Sequence, residues 1–553
     1  MLQLLLGGSG SGKTTLLYQR IRARAEKGEK SILLVPEQFT SSTEGRIYRE
    51  LGDALSGMVE SFSFTSLAEK ILSTEGGAAV QTLSDAGRAV LVRRALEELQ
   101  DNVHYYHRHR RSAAFCQMAA QTIDELKSAG LSGRQLAQLA GACGAESGKL
   151  SELALIFQGY ETLLARSGMD PSDRLELAGA RLEEALARHS LPEFLRDRAV
   201  FIDEFDTFNA PKKRLLGAML AALPSVTVAL CDDGAPLLPG DLSLFSGAKQ
   251  VAAQLRQLAR KNGAEVAVPQ LLRKDLRHRN APGLAAVAEL LETGSCTADA
   301  PADEVRLFAA PSREEEARAA AGAIRRLMRQ GVRCGKIAVV CRDIAKYRAA
   351  VRYEFRMAEI PLYCDEPTTP EFSAPATAVR ALLEIARGAD LTENLTTLAK
   401  TGLCALSEEQ VCALENYAYT WAPTAAAWRE KFERSPKGFG EQELTEEDHR
   451  NRERAEHARA LLVGAVDAFR AKVRGVNAEA ISRAVYFCLK TLGAEEQQAA
   501  QVKAIRAGRG IPAAEEAARE WNVVMGLLNE MAHLLGEQTV TVAEYEDLFG
   551  LLL

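Results

Sequence analysis

The chain has 553 residues, 47% apolar and 26% charged, with a net charge of −6. That length exceeds what one hydrophobic core organises, so several domains are expected, and the ordinary balance of apolar and charged residues excludes a disordered or fibrous chain. The mild acidity excludes a uniformly basic surface and confines any nucleic-acid contact to a local patch. The ten cysteines include no pair at C-x-x-C spacing, which argues against a zinc or disulfide framework and suits a reducing compartment. No apolar run is long enough to span a bilayer, and residues 1–6 carry no basic leader. A cytoplasmic location without a membrane partner is expected.

The first apolar run, Leu2–Leu6, reads as a buried parallel strand. It enters "GGSGSGKTT" and then a helical pattern to about Ala25. Gly7, Gly12, Lys13 and Thr14 complete the G-x-x-x-x-G-K-T pattern of a phosphate-binding loop. Glycines let backbone N–H groups turn toward phosphate oxygens, the helix start adds its positive dipole end, and the lysine reaches the outer phosphates. Gly7, Gly8, Ser9, Gly10, Ser11, Gly12, Lys13, Thr14 and Thr15 are therefore expected to bind ATP, with the Thr14 hydroxyl on Mg²⁺.

Further strands are predicted at Ser31–Val35, Met58–Phe62, Ala199–Ile202 and Val226–Leu230. Between about Ser84 and His189 only helical patterns occur, broken at Gly130, Gly141 and Gly168, as in a helical insertion between strands. Within it lies "HYYHRHRR", where Arg108, Arg110 and Arg111 are candidate contacts to a DNA backbone. Zinc binding by His104, His107 and His109 lacks a fourth ligand. At "AVFIDEF", a buried strand delivers Asp203, expected to hold Mg²⁺, and Glu204, expected to activate an attacking water. "LLRKDLRHRN", spanning Arg273 and Arg279, is a second basic patch.

Residues 293–303 are small, polar and proline-containing, and read as a linker. Beyond it, strands are expected at Val305–Ala309, Lys336–Cys341 and Leu362–Cys364, with a helix opened by a Ser312–Glu315 capping box. From about Ala376 the pattern is helical, interrupted at Ser435–Glu443 and Ala507–Pro512, with Trp421, Trp428 and Trp521 at core positions. Three strands make a small doubly wound sheet, so completion by residues beyond Leu553 is expected. The predicted layout is a first sheet domain in two parts, 1–83 and 191–292, around a helical insertion, 84–190. The linker 293–303 leads to a second sheet domain, 304–400, and a helical insertion, 401–553.

The order of the phosphate loop, "SILLVPEQFT", "VESFSFTSLAEKIL", "VFIDEFDTFNAPKK" and "KIAVVCRDIAKYRAAVRYEFRMAEIPLYCDE" resembles the B subunits of AddAB-type helicase–nucleases, and more distantly UvrD-like superfamily 1 helicases. AddAB enzymes process double-strand DNA breaks for recombination. The resemblance implies an α/β fold of tandem RecA-like domains with large helical insertions. It also implies ATP and Mg²⁺ as cofactors, an AddA-type subunit as heterodimer partner, and single- and double-stranded DNA as ligands. It implies a single-strand contact at Phe62, Ser63 and Phe64, and an arginine finger at Arg342. The family's iron–sulfur nuclease domain matches nothing in these residues and is expected only outside them.

Three departures from the helicase pattern are visible. Only six residues precede the loop, where a glutamine segment reads adenine in UvrD-like motors. Asp206 stands where those motors carry a γ-phosphate-sensing glutamine, and "ALCDDG" places Asp232, Asp233 and Gly234 where another glutamine is expected. A carboxylate only accepts hydrogen bonds and repels phosphate. Loss of these sensors implies degraded coupling of hydrolysis to movement, and the resemblance implies DNA recognition, including the recombination hotspot Chi, rather than motor activity. The alternatives are an active superfamily 1 helicase and a P-loop small-molecule kinase.

Overall fold

Six apolar runs pair into one sheet in the computed structural model, which describes all residues except 78–81, 111, 143, 145–146, 296–303, 365–369, 390, 441–442 and 537–538. The strands are β1 (Leu2–Gly7), β2 (Ser31–Leu34), β3 (Val59–Phe62), β4 (Ala199–Ile202), β5 (Ser225–Cys231) and β6 (Gln270–Leu272). All pairings are parallel, in the order β3-β2-β4-β5-β1-β6. Five strands fall where the apolar runs predict them, and β6 is additional. Alternate side chains enter different cores: Leu4, Leu6, Ile202 and Val228 on one face, Leu5, Leu33, Phe201 and Ala229 on the other. Both faces are helix-covered, which is why these strands are continuously apolar. The result is an α/β chain with an all-parallel sheet and a large helical share, compatible with a RecA-like architecture.

The predicted insertion forms helices Asp85–Glu98, Ala113–Ser128, Gly133–Ala140, Ser147–Ser167 and Pro171–Ala187. It does not stand alone. Leu91, Ile123, Phe157 and Leu164 share a single core with Leu382, Leu414, Phe469, Val485 and Phe549 from the C-terminal helices. Polar contacts fasten the same seam. The buried Glu530 carboxylate accepts from the Ser84 amide at 3.0 Å and the Ser84 hydroxyl at 2.8 Å, and Arg94 donates to the Leu534 carbonyl at 2.6 Å. Trp428 is fully buried there, with Trp421 and Trp521 packed at the margin.

Residues after the linker depart from expectation. The segments at 305–309, 336–341 and 362–364 are not strands. A parallel strand draws its backbone bonds from neighbours, and among the described residues no ladder joins these segments to each other or to the sheet. Phe308 is 65% and Val340 90% exposed. The helix between them, Arg313–Arg329, is capped by the Ser312 hydroxyl, but Glu315 pairs with Arg318 at 2.6 Å instead of reaching back, so the capping box is half-formed. The predicted 507–512 loop contracts to one residue, Gly510, at φ 90° between helices Ala494–Arg509 and Ile511–Leu535. Most of the linker, 296–303, lies outside the described residues.

Candidate nucleotide-binding site

The phosphate loop leaves the C-terminal end of β1 and feeds helix Lys13–Ala25. Gly10 and Gly12 take φ of 80° and 90°, a left-handed conformation that residues with a Cβ adopt at a cost. Lys13 Nζ donates to the Gly7 and Gly8 carbonyls at 2.7 and 2.8 Å, so the ammonium sits inside the loop's own curve. Burial pulls its pKa below the ordinary lysine value.

Strand β4 lies two places from β1 in the sheet and delivers Asp203, just past its end, into the cavity that Thr14 also lines. The amide of Glu204 donates to the Asp203 carboxylate at 3.1 Å. Burial pushes the Asp203 carboxyl above its usual value, against the pull of the neighbouring Thr14 hydroxyl, Glu204 amide and Lys13 charge. Hydroxyl and carboxylate side by side form an oxygen donor set of the kind Mg²⁺ takes. Glu204 stands exposed at the cavity rim at φ 65°, where partial desolvation of its carboxyl and the Asp203 charge raise its pKa.

These groups line a cavity of about 510 Å³ together with Ser9, Thr15, Arg46, Phe205, Asp206, Leu276 and Arg277. The two arginines come from opposite sides. Arg46, on helix Thr40–Leu51, lies 4.9 Å over the Tyr18 ring. Arg277 donates to the Ser9 hydroxyl at 3.3 Å, and the Leu276 amide donates to the Gly10 carbonyl at 3.0 Å. A Cβ at Gly10 would meet the Arg277 side chain at 2.7 Å, so glycine there lets the strap 273–279 lie against the loop. On the far side, a Cβ at Gly8 would meet the Glu292 carboxylate at 2.6 Å.

The other predicted residues are distributed differently. Arg342 is exposed and is not among the residues lining this cavity, whose arginines are Arg46 and Arg277. Asp232 caps its own turn through the Gly234 amide at 2.7 Å, and Asp233 pairs with Lys249 at 3.3 Å, whereas Asp206 lines the cavity. Ser63 caps helix Phe64–Glu75 in a capping box with Ser66. Phe64 is buried edge-on against Phe205 and Phe208, with Lys212 over both the Phe64 and Phe205 rings, and Phe62 is half-buried beside Phe194. Arg108 is exposed and Arg110 half-buried, while Arg111 lies outside the described residues. No described helix is long and apolar enough to cross a membrane.

The residues that build the sheet and its loop, 4–288, match the family model described as "ADDB, N-terminal". The chain belongs to the AddB family. It is similar to the B subunits of the ATP-dependent helicase/deoxyribonucleases of Desulforudis audaxviator, Moorella thermoacetica and Symbiobacterium thermophilum, at 30% identity in each case. Each similarity covers 98% of this chain and 48% of the relative, so the chain spans about half the length of the curated relatives it matches. The family match takes in Lys13, Asp203 and Arg277 together. It ends before the exposed segments at 305–309 and 336–341, which lie within the pairwise similarities.

Sequence reasoning missed Arg46 and Arg277. Arg277 stands in a basic patch that reads as a nucleic-acid surface. The overlooked signal is the short pair Leu271–Leu272. Its register, Leu6 to Leu271 and Gly7 to Leu272, draws the strap onto the phosphate loop.

Proposed function

We propose that this chain is the ATP-binding, DNA-handling portion of the B subunit of a helicase–deoxyribonuclease that acts in recombinational repair of double-strand breaks, in the cytoplasm and beside an AddA-type partner. The observation that carries the nucleotide part is that Lys13 and Thr14 of the loop and the strand-end carboxylate of Asp203 line one cavity. ATP would lie along Gly7–Thr15 with its outer phosphates toward Lys13. Mg²⁺ would be held by Thr14 and Asp203 and would neutralise phosphate charge. Arg277, rather than Arg342, is the cation this geometry offers at the loop. The names of the relatives support the assignment to a helicase–nuclease.

DNA recognition rather than motor work is favoured by the three carboxylates at the sensing positions. Asp232 and Asp233 are committed to a turn and to Lys249, and Asp206 presents an acceptor to the cavity where a motor needs a donor. A second reading, a slow ATPase, is favoured by Glu204, which faces the cavity with a raised pKa suited to proton transfer. The deciding experiment measures ATP binding and DNA-stimulated hydrolysis with and without the AddA-type partner. Tight Mg²⁺-dependent binding with little turnover by the chain alone is expected. Rapid turnover abolished by Lys13→Ala would overturn the non-motor reading, and no nucleotide binding would overturn the site.

A further inference from the structure

The loop before helix Ala113–Ser128 is pinned by one carboxylate. Glu152, on helix Ser147–Ser167, accepts from three consecutive backbone amides: His104 at 3.0 Å, Tyr105 at 2.9 and 2.8 Å, and Tyr106 at 3.2 Å. Tyr106 packs on Phe115 with ring centroids 5.2 Å apart, which anchors the far side of the turn. Tyr105 is left 57% exposed, with the Tyr106 ring edge-on at 5.3 Å and Lys149 Nζ over the Tyr105 ring at 5.3 Å from its centroid. The next turn, His107–His109, carries Arg108 into solvent, and Arg110 follows it.

Three acidic side chains near this loop are engaged, and Asp101 stands exposed beside it. Glu152 is surrounded by amides, Glu97 pairs with Arg93 and Glu98 with Arg94. A rigid turn thus presents an aromatic face flanked by cations in an otherwise acidic protein. Bases stack on such faces whatever their identity, and cations beside them take the phosphates on either side. A duplex hides the base faces that this ring could cover, which assigns the contact to a single strand.

We propose that this loop is a contact for single-stranded DNA. Tyr105 stacks on a base, Lys149, Arg108 and Arg110 take neighbouring phosphates, and Glu152 is the positioning residue that fixes the turn. The proposal rests on the DNA-handling reading and assigns it a surface apart from the nucleotide cavity.

Fluorescence anisotropy with labelled oligothymidylate and with a duplex of equal length, over a series of salt concentrations, tests it. Tyr105→Ala is expected to weaken single-strand binding about 5- to 150-fold while Tyr105→Phe retains it. Arg108→Ala with Arg110→Ala should lower the slope of log affinity against log salt by about 1.4, or roughly 0.7 for each lost phosphate contact. Glu152→Gln should speed amide exchange at residues 104–106 and weaken binding while leaving the melting temperature unchanged. Failure of the unaltered chain to bind any DNA would overturn the DNA-handling reading itself. Binding that is intact but indifferent to Tyr105→Ala and the double arginine change would overturn this loop alone. Equal losses on duplex and single strand would overturn the stacking assignment, and wild-type behaviour of Glu152→Gln would overturn its positioning role.

Discussion

Residues 1–272 and residues 304–364 share a local pattern of short apolar runs alternating with helices, yet only the first forms a sheet. In the first region each run finds a neighbour in register, as when Leu33 pairs with Phe201 and Phe201 with Thr227. In the second, runs of comparable composition join no ladder among the described residues and are largely exposed. Pattern determines whether a segment can be a strand, and partners determine whether it is one.

The largest expected contrast is in amide exchange. The amides of β2 and β4 should exchange roughly a thousandfold or more slowly than those of 305–309 and 337–341, because central strands open only with the whole unit. Comparable protection in both would break the comparison. Next in size is side-chain truncation. Phe201 is 3% exposed, so Phe201→Ala should cost about 3–5 kcal/mol by denaturant unfolding. Phe308→Ala, at an exposed position, should stay within about 0.5 kcal/mol.

The candidate nucleotide site sharpens the contrast because its residues converge where the strands pair. Lys13→Ala should weaken ATP binding on the order of tenfold to a hundredfold by titration calorimetry, since a charged hydrogen-bond donor is lost. Arg277→Ala should cost less, about tenfold, and Arg342→Ala nothing measurable. An Arg342 effect equal to that of Arg277 would show the second region closing onto the first.

The smallest effect concerns pH. Burial raises the Asp203 carboxyl, and under the proposed function its ionised form would hold Mg²⁺. Mg²⁺-dependent affinity should therefore decline, as pH is lowered, at a higher pH than an exposed aspartate would give. Asp203→Asn should bind weakly with no such decline. The sign for stability is opposite. A folded-state pKa above the unfolded one means that the folded form keeps a proton the unfolded form has lost, so stability falls as pH rises between the two values.

The legible parts of the molecule are those written in contiguous residues. The loop is legible because strand, glycines, lysine and threonine lie within one stretch. Asp203 is legible because four buried apolar residues deliver it. The helix start at Ser312 is legible from a side chain that caps its own following turn. Arg277 is hidden because its place depends on a three-residue strand pairing with one more than 260 positions earlier, beginning at Leu5 and Gln270. Ser63 and Phe64 resemble a ligand motif, but the hydroxyl serves a helix start and the ring serves the core. The shared helical core is equally invisible to local pattern, since a helix's apolar face does not name what covers it.

That shared core constrains the birth of the protein. Ser84 meets Glu530 across 446 positions of chain. At about 5–20 residues per second, a ribosome needs roughly 20 to 90 seconds to supply the second after the first. For that interval the early helices would carry half of an apolar interface with nothing to close it, which makes them a natural client for a chaperone, and a slowed ribosome would lengthen the exposure in proportion.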